Sequence, residues 1–298
     1  MKPVIEIKNL TCQFSSTPAV NGIDLKINKG SICALLGPNG AGKSTTIKSL
    51  MGLQPQYTGE IEVLGVSSKA LTKNELQRIG YVSEDQKLPG WMTTKQLMNY
   101  CRPLYPTWDQ EFNDALIKQF NLPRERKIAQ FSRGMKMKVA LIASISYRPS
   151  ILILDEPFSG LDLAIREEVI DGILALTEQE QWTVLLTSHD LEEVERLADH
   201  ITIMKSGNLV LDAQISILQQ NFSTVEVTLK KSPDDKVFFP NNWLQTKIND
   251  HYLEFIHQSS EEVDIETEIT NNFGEITSIT SETMSLRDIY LAVTRNPK

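Results

Sequence analysis

The sequence predicts an α/β protein with a mostly parallel core sheet, an antiparallel β subdomain, an inserted helical subdomain and a small α+β C-terminal domain. Three observations carry this prediction. Short apolar runs at Ile32–Leu36, Ile151–Leu154 and Thr183–Leu186 do not alternate, which suits strands covered on both faces of a parallel sheet. Helix-period stripes follow two of them: Ile47, Leu50 and Met51 after the first, and Ile165, Val169, Ile173 and Leu176 after the second. Strand–helix alternation of this kind builds βαβ units with right-handed crossovers.

The elements follow in chain order. The first ~30 residues and Gly59–Leu64 alternate as in an antiparallel sheet. Residues 88–146 read as mostly helical, with breaks near Pro103, Pro106 and Pro123, and form the expected inserted subdomain. The pattern changes after about Ile217, so a first domain is expected over 1–217 and a second over 218–298. Within the second, Val225–Leu229 and Val263–Glu266 alternate as strands, and Leu286–Val293 has one apolar face, as a helix does. His251 and His257 lie in this region without metal-ligand spacing, and packing or dimer contacts are their default reading.

Composition narrows the function classes. Of 298 residues, 41% are hydrophobic and 23% charged, an ordinary globular balance, and the formal net charge is −8. That balance argues against nucleic acid as a partner, because phosphate-backbone binders carry a basic face. Cys12, Cys33 and Cys101 are too far apart for a metal-type pair and fit reduced thiols. The N-terminus lacks the pattern of a signal peptide, and no apolar run approaches the ~18 residues of a membrane span.

The three core runs end in Gly37-Pro38-Asn39-Gly40, Asp155-Glu156 and Ser188-His189. Ligands of open α/β sheets bind beyond the carboxyl ends of their strands, so these three ends are expected to converge. Residues Gly37, Pro38, Asn39, Gly40, Ala41, Gly42, Lys43 and Ser44 match G-x-x-x-x-G-K-[ST], and Thr45 continues into the helix. Glycines let a backbone wrap phosphates with its N–H groups inward, and the following helix adds its positive end. Lys43 neutralises β and γ phosphates, and Ser44 offers an oxygen to Mg²⁺. Ordinary residue frequencies give on the order of 1% for an accidental match in a chain of this length, so the motif marks a P-loop NTPase. Asp155 is then a second Mg²⁺ partner, and Glu156 a group to orient or deprotonate water.

An ordered series of further motifs resembles the nucleotide-binding subunits of ATP-binding-cassette (ABC) transporters over about residues 1–215. Phe131-Ser132-Arg133-Gly134-Met135 resembles the signature loop, usually Leu-Ser-Gly-Gly-Gln. Ser159-Gly160-Leu161-Asp162 resembles the D-loop, and Thr187-Ser188-His189-Asp190 the switch-histidine segment. Phe14 sits where the family places an aromatic on adenine, with core packing as its alternative.

The resemblance implies an ATPase that binds Mg-ATP at a dimer interface. Glu156, His189 and Lys43 would be catalytic, and Ser132, Gly134 and Asp162 would complete the partner's nucleotide site. It also implies a second ATP-binding subunit, in a homo- or heterodimer, and a separate transmembrane permease. The chain would lie in the cytoplasm, peripheral on the inner face of the cell membrane. Trp91, Tyr100 and Trp108 are candidates for permease contact or for core packing. The run Leu104–Asp109 and the C-terminal domain look most like exporter subunits. Three residues depart from the family pattern: in the signature loop Arg133 replaces the first glycine and Met135 the glutamine, and Glu84 takes the slot of a glutamine that contacts Mg²⁺ and water.

Overall fold

The computed structural model describes residues 3–13, 17–84, 86–232, 239–240, 242–259 and 265–295. Two compact units, Met1–Leu209 and Val210–Lys298, divide the chain, and the cut lies upstream of the 217/218 boundary expected from sequence.

The first unit opens with β1 (Ile5–Gln13) and β2 (Pro18–Ile27), then β3 (Ile32–Leu36) and α1 (Lys43–Leu50). Next come β4 (Thr58–Val63), β5 (Val66–Ser67), α2 (Lys73–Leu76) and β6 (Ile79–Val82). Strands β1, β2, β4 and β5 form the antiparallel sheet, in the order β2-β1-β4-β5. Alternate residues Ile5, Ile7, Ile61 and Val63 turn inward to a shared core.

The helical segment follows as α3 (Thr94–Cys101), α4 (Gln110–Gln119) and α5 (Arg133–Ile145). Each of these helices starts at a polar cap, as helix starts favour: Thr93, Asp109 and Ser132 accept from backbone N–H groups. The chain then returns to the core through β7 (Ile151–Asp155), α6 (Leu163–Glu180), β8 (Thr183–Ser188), α7 (Leu191–Leu197), β9 (His200–Lys205) and β10 (Asn208–Gln214).

The core sheet has the order β10-β9-β3-β8-β7-β6. Strand β3 lies parallel between β8 and β9, and β7 lies parallel between β8 and β6. Every residue of β3, β7 and β8 is buried, as their unbroken apolar runs require of strands covered on both faces. Val169, Ile173 and Leu176 of α6 are buried as the stripe predicts. Full burial of such a side chain contributes roughly 1.5–3 kcal/mol, so these strands and stripes add substantially to the unit's stability.

The second unit holds α8 (Ile215–Asn221), β11 (Phe222–Leu229), β12 (Trp243–Asn249), β13 (Tyr252–Gln258), α9 (Ile265–Phe273), β14 (Ile276–Thr283) and α10 (Leu286–Arg295). Its antiparallel sheet runs β12-β13-β11-β14. Val225, Val227 and Leu229 form its inward row with Leu253 and Phe255, and the Trp243 ring stacks on Phe255 at 3.6 Å. The expected strand at Val263–Glu266 is corrected. Val263 and Asp264 lie outside the described residues, and Ile265 and Glu266 open α9, where Ile269 and Phe273 continue the apolar spacing four residues apart. Two alternating residues were too short a sample to separate strand from helix.

Candidate functional site

The phosphate-loop segment leaves β3 and turns into α1. Its conformation needs glycine at two places in particular. Gly42 has φ of +108°, and a Cβ there would lie 2.5 Å from the Ala19 carbonyl oxygen. At Gly37 a Cβ would lie 2.4 Å from the Met204 carbonyl oxygen. Backbone hydrogen bonds anchor the loop on both sides: Gly37 N–H donates to Ser188 O at 3.2 Å, and Gly207 N–H donates to Ala41 O at 3.0 Å. The first N–H groups of α1 have no intrahelical acceptor, and its first turn carries no acidic side chain. The loop therefore presents a positive helix start, suited to an anion.

Strand order brings the other ends to this loop. Asp155 ends β7 directly beside Thr187 of β8, and Ser188 is level with Leu36 of β3. Ser44 Oγ donates to Asp155 Oδ1 at 3.0 Å, and Thr187 Oγ1 donates to the same oxygen at 2.8 Å. The Glu156 N–H donates to Thr187 Oγ1 at 2.8 Å. Thr187 thus ties both acids to the neighbouring strand. The sequence placed Thr187 in the switch-histidine segment without giving it a role, although a hydroxyl at the end of an apolar strand was a signal for one.

Glu156 lies at the centre. Its φ is +49°, in the left-handed region, which redirects the chain as it leaves β7. One carboxylate oxygen lies 3.0 Å from Lys43 Nζ, and the other lies 2.8 Å from His189 Nδ1. Lys43 also donates to Gly37 O at 2.7 Å. The Lys43 and Glu156 side chains are 5% and 8% exposed, so this is a buried ion pair rather than a solvated one. The Lys43 contact to Glu156 Oε1 lacks hydrogen-bond alignment and is held by charge alone. The Asp155 charge is felt nearby: burial first, then this carboxylate, pushes the Tyr81 phenol up to about 12.

A second polar layer supports the switch segment. Ser188 Oγ donates to Glu193 Oε2 at 2.6 Å, and Arg166 reaches Asp190 at 2.9 Å and Glu193 at 3.3 Å. Burial pushes the Glu193 carboxyl above its ordinary range, with Asp190 and Glu156 adding to that and Ser188 and Arg166 opposing it.

Other residues named from the sequence serve elsewhere on the chain. Ser132 caps α5 by accepting from Met135 N–H at 3.2 Å, and Asp162 caps α6 by accepting from Ile165 N–H at 3.0 Å. Gly134 is buried where a Cβ would lie 2.5 Å from Ile165 Cγ2, so close packing of α5 on α6 demands it. Glu84 accepts from Ser159 Oγ at 3.2 Å and does not join the Ser44–Asp155 pair. Phe14 lies outside the described residues. Trp91 and Tyr100 are 70% and 61% exposed, whereas Trp108 is half-buried and donates to Gln110 Oε1 at 3.3 Å.

The oxygen set of Ser44 and Asp155 fits a hard cation that keeps most of its remaining ligands as water and phosphate. Among the described residues no group of three or more His, Cys, Asp or Glu forms a protein-only metal cage, and no helix is long and apolar enough to cross a membrane.

Comparison with known proteins agrees with these features. Residues 20–159 match the ABC transporter family model. An ABC transporter ATP-binding protein of Methanocaldococcus jannaschii is 32% identical, over 76% of this chain and 83% of its own. Another, from Bacillus subtilis, is 28% identical over 98% of this chain and 96% of its own, so that likeness runs through the second unit. A solved ATP-binding subunit of an ABC transporter superposes with a TM-score of 0.65 at 26% identity, covering 73% of this chain and 92% of the other. With the phosphate loop, Asp155, Glu156 and His189 brought together at the strand ends, the chain belongs to the ABC transporter ATP-binding proteins and is an ATPase of the P-loop class.

Proposed function

We propose that this chain powers a transporter whose membrane-spanning part is a separate polypeptide, by hydrolysing Mg-ATP between two cassettes. The observation that carries the reading is the Glu156 carboxylate, held between Lys43 at 3.0 Å and His189 at 2.8 Å beside the phosphate loop. When triphosphate enters, Lys43 exchanges the carboxylate for phosphate oxygens, and Glu156 is left facing the γ-phosphate. There it orients and deprotonates water, while His189 holds its second oxygen. Ser44 and Asp155 would hold Mg²⁺, which supplies charge neutralisation to the phosphates. Ser132, Gly134 and Asp162 lie on exposed or helix-starting segments, from which a second cassette's nucleotide is reached in the dimer the family resemblance implies.

Export is the direction we propose, on the Leu104–Asp109 segment and the second unit, which resemble exporter subunits. Permease contact is assigned to Trp91, Tyr100 and Leu104, because large apolar side chains exposed this fully mark interaction sites when they cluster along a segment. The test is co-purification from membranes with a multispanning partner, followed by ATP-driven transport in vesicles of both orientations. Trp91→Ala is expected to release the chain from membranes while leaving ATP hydrolysis by the isolated chain within about twofold. Membrane recovery of that variant equal to the parent's refutes the docking assignment. Accumulation only in right-side-out vesicles refutes export.

A further inference from the structure

Two of the residues that depart from the family pattern, Glu84 and Arg133, meet on the same turn. Ser159 Oγ donates to Glu84 Oε1 at 3.2 Å. The next residue, Gly160, has φ of +67°, and a Cβ on it would lie 2.4 Å from Arg133 Nη1, 2.8 Å from its Cζ and 3.2 Å from its Nε. The flat guanidinium therefore rests on the Gly160 backbone, in space that any side chain would fill. Glu84, Arg133, Lys136, Glu156 and Ser159 line one cavity of about 120 Å³.

This turn starts at Glu156 itself. Ser159 N–H donates to Glu156 O at 3.2 Å, and Leu161 N–H donates to Phe158 O at 3.1 Å. Glu156 occupies the left-handed region, which L-residues adopt only when the surroundings hold them there. On its upstream side Thr187 Oγ1 takes the Glu156 N–H. On its downstream side the turn is gripped by two side chains from distant parts of the chain.

We propose that Arg133 and Glu84 are positioning residues that grip the Ser159–Gly160 turn of their own chain, and thereby hold Glu156 in the geometry in which its carboxylate meets Lys43 and His189. The guanidinium does this by lying against Gly160, and Glu84 through one acceptor oxygen. An arginine in the signature loop is thus explained by a contact within the subunit. The proposal rests on the reading of Glu156 as the residue that activates water.

The test is a double-mutant cycle on the nucleotide-free protein and on turnover, using Arg133→Gly, Gly160→Ala and the double variant. Arg133→Gly is expected to lower kcat by about three- to tenfold with KM for ATP within about twofold, because alignment is lost and nucleotide binding is not. Gly160→Ala displaces the guanidinium and does the same. The double variant falls by less than the product, and the Tm loss caused by Gly160→Ala is smaller in the Arg133→Gly background. Glu84→Ala matches the kcat loss of Arg133→Gly, whereas Glu84→Gln retains an acceptor and keeps turnover within about twofold of the parent. A kcat for Arg133→Gly within twofold of the parent, or two changes whose effects on kcat and Tm are independent, overturns the proposal. The Tm cycle separates the two readings. Coupling in Tm with a Glu156→Gln variant that hydrolyses ATP normally defeats the assignment of Glu156. Absence of coupling with an inactive Glu156→Gln variant defeats the grip alone.

Discussion

Replacing Glu156 by glutamine separates the two things this carboxylate does. Glutamine is isosteric, tolerates the same φ of +49° about as well, and can still hydrogen-bond to His189. What it removes is charge. At 3.0 Å and an effective dielectric of 20, the attraction between Lys43 and Glu156 is about 5.5 kcal/mol before desolvation is counted. In the nucleotide-free protein that attraction opposes ATP, since Lys43 must turn to phosphate oxygens and leave the carboxylate beside a polyanion. If a quarter of the figure survives as a net term, Glu156→Gln gains about 1.4 kcal/mol in ATP binding, or roughly tenfold in Kd. If Glu156 activates water as proposed, its loss lowers kcat by at least about a hundredfold in the same protein. Nucleotide affinity by calorimetry and phosphate release at saturating ATP measure the two effects separately. Hydrolysis within tenfold of the parent refutes the catalytic role. Weaker ATP binding refutes the idea that the buried pair restrains the empty site.

Three further outcomes follow from the geometry. Lys43→Ala leaves the Glu156 carboxylate buried without a counter-ion and costs about 3–5 kcal/mol by denaturant titration, and adding Glu156→Gln recovers stability although ATP binding stays lost. Gly42→Ala combines φ of +108° with a Cβ 2.5 Å from the Ala19 carbonyl, so it destabilises by about 1–3 kcal/mol and weakens nucleotide binding; an unchanged Tm contradicts the loop geometry. Glu193 has its folded-state carboxyl pushed up by burial, so the native state holds a proton that the unfolded chain has already released. Stability therefore declines as pH rises from the ordinary carboxylate value through the raised one, and Glu193→Gln flattens Tm against pH across that window.

Much of the site was legible because its parts are local. The spacing of Gly37, Gly42, Lys43 and Ser44 and the acids closing an apolar run are properties of adjacent residues, and a buried strand exposes its function at its end. Thr187 was named within the switch segment, but its bridging role was not foreseen because it depends on which strand lies beside Asp155. Ser132, Gly134 and Asp162 illustrate a different limit. Their motif positions were found, but within this chain two are helix caps and the third is a packing glycine. Val263–Glu266 failed for lack of length, since two apolar residues fit either period once their neighbours are ignored.

The sequence by itself determined the α/β class, the phosphate loop and the acids that close an apolar run, because periodicity, turn chemistry and motif spacing act over a few residues; His189 was singled out by the family resemblance. Only the tertiary structure decided that Lys43 and Glu156 neutralise each other, that Thr187 bridges the two acids, and that Arg133 and Glu84 close on one turn. These contacts join residues tens of positions apart, and strand order and helix packing, rather than any local preference, set which of them meet.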